Sequence, residues 1–104
     1  MKLVEAINDL VTRAQEILEE ESFDSFMLER VYRIKGDIVD PSVRVLRAHP
    51  KHAPAAEALQ ALYVALEEYV VTFQMAPNRR DDRRHKVEGL LSRVRRELLP
   101  AGDR

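Results

Sequence analysis

The chain of 104 residues has no cysteine, no tryptophan and only three glycines. Without cysteine there is no disulfide and no thiolate metal site, which leans the chain toward a reducing compartment. The sequence contains no G-x-x-x-x-G-K-[ST] loop and no G-x-G-x-x-G turn, so nothing is built to cradle a nucleotide phosphate. Ser22, Ser25, Ser42 and Ser92 lie outside any G-x-S-x-G elbow, and nucleophilic catalysis has no support. No useful length alternates with a period of two, so no sheet is expected. The opening MKLVEAINDLV lacks both an uninterrupted apolar core and a small-residue cleavage site, so no secretion signal is expected and a cytoplasmic protein is the expectation. A membrane span is not expected either. In the most apolar segment, Glu67 and Glu68 leave charge-free runs of only 9 and 10 residues, where a span needs about 20.

What the chain does have is apolar and charged residues in quantity, 45 % and 34 %. That mixture fits a helical bundle with a solvated exterior and argues against wholesale disorder. The organising stretch is 55–76, AAEALQALYVALEEYVVTFQMA, where 16 of 22 residues are apolar and neither Gly nor Pro intervenes. Ala55, Leu59, Leu62, Leu66, Tyr69, Val70, Phe73 and Ala76 recur at steps of three and four, one face of a helix. Ala58, Ala61, Val64 and Ala65 widen that stripe. A helix apolar nearly all round is normally buried, either within its own bundle or partly against a second subunit.

The remaining segments have narrower stripes. Leu3, Ile7, Leu10, Ala14 and Ile17 predict a helix over 2–21. Phe23, Met27, Val31, Ile34 and Ile38 predict a second, capped by Ser22 or Asp24 and ending near Val39. Asp40-Pro41 reads as a cap followed by a first helical position, opening a short helix over 41–48 or a bent continuation. Two prolines make 49–54 a loop. Asn78 is a cap for a last helix with Val87, Leu90, Leu91, Val94 and Leu98 on its inner side. The expected fold class is therefore all-α: a small antiparallel, up-down bundle of four main helices with an extra helix at 41–48. A single domain covers 1–100, followed by a frayed tail at 101–104.

Candidate chemistry is sparse. His49 and His52 are spaced H-x-x-H but sit in the proline-rich loop with no third ligand, and Asp82-x-x-His85 lacks the second copy that a di-metal bundle requires. No metal and no cofactor is expected. The hexapeptide Arg80-Asp81-Asp82-Arg83-Arg84-His85 resembles the R-polar-x-x-x-H motif of the HEPN family, small helical bundles of which many are ribonucleases. The resemblance covers six residues. It implies that Arg80 stabilises phosphate charge, that His85 acts as acid or base at the ribose, and that the site is shared between two subunits.

Charge is distributed unevenly although the net is −1. Segment 16–29 holds six acids and no base, and 77–96 holds eight bases against three acids. Glu19-Glu20-Glu21 also has the wrong sign for the negative end of a helix dipole, so a basic neighbour is expected there. The basic stretch can pair with that acidic end, within the subunit or across a dimer, or it can contact nucleic-acid phosphates. Among the aromatic and methionine residues, Phe23, Phe26, Met27, Tyr69, Phe73 and Met75 read as core, while Tyr32 and Tyr63 lie off the main stripes. The expected function is a non-enzymatic protein–protein interaction domain, an adaptor or regulatory subunit that self-associates or docks onto a protein partner. Its interface would comprise Tyr32, Tyr63 and Val64 with Arg83, Lys86 and Arg93 as a charged rim. The alternative is an RNA-directed protein, a HEPN-like ribonuclease using Arg80 and His85.

Overall fold

The computed structural model describes residues 2–99, and within them the protein is an all-α bundle of four main helical rods. The first is α1 (Leu3–Glu19). The second is a bent rod made of α2 (Met27–Ile34), a π-turn (Lys35–Val39) and α3 (Asp40–Arg47). A short 3-10 turn (Pro50–His52) leads into α4 (Ala53–Met75), and another (Pro77–Arg79) leads into α5 (Arg80–Leu98). The tail at 101–104 lies outside the described residues.

The core follows the expected stripes. Ile7, Leu10, Ala14 and Ile17 from α1 and Met27, Val31, Ile34 and Ile38 from the bent rod are buried. They meet Leu59, Leu62, Leu66, Tyr69, Val70 and Phe73 of α4 and Val87, Leu91, Val94 and Leu98 of α5. Each such side chain contributes roughly 1.5–3 kcal/mol relative to an exposed one. The most extensive packing is between α4 and α5. Tyr69 and Phe73 meet edge to face with ring centroids 6.0 Å apart, and Phe23 continues the group onto Phe73 at 6.1 Å.

Several local expectations are corrected. Asp40 does not cap a new helix: its backbone is helical, and its N–H donates to Lys35 O, five residues back. In an α-helix the ring of Pro41 would press on the carbonyl four residues earlier, and that carbonyl would lack a donor. The wider π-turn just before Pro41 absorbs both problems, so the rod bends and continues instead of stopping at Val39. Lys35 Nζ, 2.8 Å from Asp40 Oδ2, closes the turn on its outer side. Asn78 does not cap α5 either. The link is wound into a 3-10 turn, Arg79 N–H donates to Ala76 O at 2.9 Å, and Asp81 and Asp82 complement the positive end of the helix dipole. Neither Ser22 nor Asp24 caps α2: its N-cap is Phe26, without a side-chain bond, and Asp24 Oδ1 instead accepts from Phe26 N–H at 2.7 Å in the turn before the helix. Phe26 and Met75 do not belong to the core, since both are exposed.

The α1 terminus comes two residues earlier than expected. Glu20 leaves the helix with extended backbone angles and meets Arg30 at 3.0 Å. The basic neighbour that the acidic end calls for is present in the same chain. Arg84 Nη1 donates to Leu18 O at 2.9 Å and Arg80 Nη1 donates to Glu21 O at 3.3 Å. Two guanidinium groups from α5 thus cover the carbonyls at and just beyond the end of α1.

Candidate functional site

The helix that reads as apolar nearly all round is buried on one side only. Val64, Val71 and Met75 project outward from α4, at 48, 42 and 75 % exposure. Their spacing of seven and four keeps them on one face, over about 16 Å of helix. One exposed valine is ordinary on a protein surface. Val71 and Met75, one turn apart, form an apolar pair, and Val64 stands on the same face two turns before Val71 with Glu68 between them.

The first turns of α5 border that face. Arg83 and the α4 residues Glu67, Glu68, Val71 and Thr72 line a shallow depression of about 190 Å³. One turn further along, Lys86 Nζ lies 3.6 Å from Glu68 Oε2. Beyond it Leu90 is half-buried against the core, and Arg93 Nε lies 3.6 Å from Glu97 Oε1 on its own helix. Val64, Arg83 and Lys86 are therefore brought to one α4/α5 face, with Arg93 at its far end.

The two tyrosines fall on the other edge of α4. Tyr32 stands on α2 and is 54 % exposed. Tyr63 is half-buried, and its hydroxyl donates to Glu67 Oε2 at 2.9 Å while Lys35 Nζ sits 6.0 Å from the ring centroid. Burial first, and then the bond to the Glu67 carboxylate, pushes the Tyr63 phenol up to about 12, with smaller contributions from Tyr32 and Asp40. Tyr63 is thus held by neighbours in its own chain and is a less available contact than Tyr32.

Arg80 and His85 are not brought together. Helix α5 begins at Arg80 and runs through His85, so five positions separate them by about 140° around the axis. Arg80 is occupied internally: besides its bond to Glu21 O, its guanidinium carbon lies 4.3 Å from the Phe73 ring centroid. His85 is exposed, with Nδ1 3.6 Å from Glu88 Oε1. His49 and His52 stack edge to face at 6.0 Å. No group of three or more His, Asp or Glu side chains placed to hold a metal ion occurs among the described residues.

Three residues of the surface escape the sequence pattern. Val71 and Met75 are hidden by the general apolarity of their helix. Met75 is its last residue, beyond the final inward ring of Phe73. Phe26 precedes the first residue of α2 in the turn where Asp24 Oδ1 accepts its N–H, so the helical step that buries Met27 does not reach it. No helix of the described residues is long and apolar enough to cross a membrane. Comparison with protein-family models, with curated proteins and with solved structures finds no match to this chain.

Proposed function

We propose that the protein is a non-enzymatic interaction domain that docks onto protein through the outward face of α4 and the adjoining edge of α5. The observation that carries this reading is the outward set Val64, Val71 and Met75, bordered by Arg83 and Lys86. Outward apolar side chains with a charged rim match the anatomy of a protein interface: the apolar centre supplies affinity and the rim sets register and partner choice. The α4/α5 pair is also a suitable platform, since these two helices pack against each other more extensively than any other pair and carry the outward side chains on regular helix. The Tyr32 edge extends the same surface toward α2.

The test compares wild type with Val64→Asp/Val71→Asp, each immobilised and challenged with a lysate. Both side chains are about half exposed, so the double variant is expected to fold as wild type does, by circular dichroism. It should lose bound proteins that wild type retains. Identical retained proteins on two equally folded chains would refute the assignment of this face.

A further inference from the structure

We infer that the occupant of this face is a second copy of the chain, seated by the 20–26 turn, an inference that rests on the docking reading of α4/α5 given above. In this arrangement Phe26 of each copy packs against Val71 and Met75 of the other. Glu21 and Asp24 of each copy face Arg79 and Arg83 of the other.

Three observations converge on this pairing. Met75 at 75 % and Phe26 at 66 % are the two most exposed large apolar side chains among the described residues. Both lie at the same end of the bundle. The Phe23–Phe73 ring contact at 6.1 Å and the bond from Arg80 to Glu21 O at 3.3 Å tie the 20–26 turn to the link between α4 and α5. The charges at that end are divided. Glu21 and Asp24 are exposed and make no ion pair among the described residues, and the same is true of Arg79 and Arg83 on the other side. Asp81 and Asp82, also exposed, lie in the first turn of α5, and the four arginines at 79, 80, 83 and 84 around them leave this segment net basic.

The end of the bundle therefore carries two adjacent halves. One is acidic with an exposed phenylalanine, and the other is basic with an exposed methionine. A two-fold rotation lays each half on its complement, so one axis satisfies both pairs at once and the assembly closes at two copies. Aromatic rings and thioethers pack favourably, which suits Phe26 to Met75. The ion pairs at the rim select the register and exclude the parallel superposition that would set acid on acid.

The experiment is light scattering on the full chain at two concentrations, with circular dichroism as the folding control. Wild type is expected to rise with concentration toward twice the 12.0 kDa chain mass. Arg79→Glu/Arg83→Glu and Glu21→Lys/Asp24→Asn, the latter keeping an acceptor oxygen at position 24, should each remain at the mass of one chain. Mixed in equal amounts they should regain the dimer, because the mixed pair restores opposite charges at the contact. Phe26→Ser, which keeps the backbone N–H that Asp24 accepts from and removes no buried side chain, should also stay at one chain mass. Two results overturn the proposal. The first is a wild type that stays at 12.0 kDa at both concentrations, which leaves the docking reading to its own lysate test. The second is a dimer that persists in Phe26→Ser and in both charge variants, which would place self-association elsewhere.

Discussion

The inward and outward sides of the α4/α5 pair are made of similar residues put to opposite uses. On α4, Leu66 and Tyr69 are fully buried, while Val71, two positions on from Tyr69, is 42 % exposed. On α5, Arg80 and Arg84 turn back onto the end of α1 and donate to its carbonyls. Arg79 and Arg83 come from the same four-arginine cluster and stand in solvent. Neither hydropathy nor formal charge separates the members of these pairs. Helical phase relative to the bundle axis does, and it splits one segment into a part that holds the fold and a part that is free to meet something else.

Substitutions that contrast the two sides test this division. The largest effect is expected at Leu66→Ala, which leaves a cavity beneath α4 and should cost about 2–5 kcal/mol in urea denaturation. Val71→Ala on the outer side, measured at a concentration where the chain is monomeric, should cost no more than about 0.5 kcal/mol. Equal losses would mean that Val71 belongs to the core. The next contrast is between arginines. Arg84→Ala removes a charge-assisted bond to Leu18 O and should lower stability by about 1–2 kcal/mol, toward the lower end because the side chain is partly exposed. Arg83→Ala should stay within about 0.5 kcal/mol of wild type. Thermal melts of the two variants side by side decide this, and a larger loss for Arg83 would reverse the assignment.

A smaller effect of opposite sign is expected inside the core. The Tyr69 hydroxyl is buried and has no hydrogen-bond partner among the described residues, and burial pushes its pKa up. Tyr69→Phe removes that unsatisfied group and should raise the unfolding free energy measured in urea by an amount on the order of 1 kcal/mol. A fall in stability would show that the hydroxyl is paired. The subtlest contrast concerns pH. The Tyr63 phenol is raised from 10.0 to about 12 in the folded chain. The folded state thus keeps a proton that the unfolded state releases first. Its contribution to stability is complete below pH 10 and is lost as pH rises toward 12. Tyr63→Phe should flatten that part of the stability–pH profile, and an unchanged slope would mean that Tyr63 titrates as a free phenol.

How much of this was legible in the sequence depends on the kind of interaction. The helices and most of the core are readable because apolar side chains at steps of three and four report burial directly, as Leu59, Leu62 and Leu66 do. The need for a basic neighbour at the end of α1 is readable from Glu19-Glu20-Glu21 alone. That Arg84 and Arg80 supply it is not, because the contact spans more than fifty residues and depends on how α1 and α5 lie side by side. The π-turn escapes for a different reason. Asp40-Pro41 is a sound local stop signal, and only the geometry of the preceding turn lets the helix pass through it. At the candidate face, Tyr32 is exposed as its position off the main stripes implies, whereas Val64, which reads as widening the central stripe, is exposed against that pattern. Phe26 and Met75 look like core material by residue type, and their exposure comes from lying at helix ends, where no neighbouring helix continues to cover them.

The most direct test of the α4/α5 docking face is photo-crosslinking. A photoreactive amino acid in place of Val71 is compared with one in place of Asn8, an exposed position on α1. The account expects a discrete protein adduct from position 71 and none from position 8, with the adduct lost when Met75→Ser is added. No adduct from position 71, or the same adducts from both positions, would contradict it.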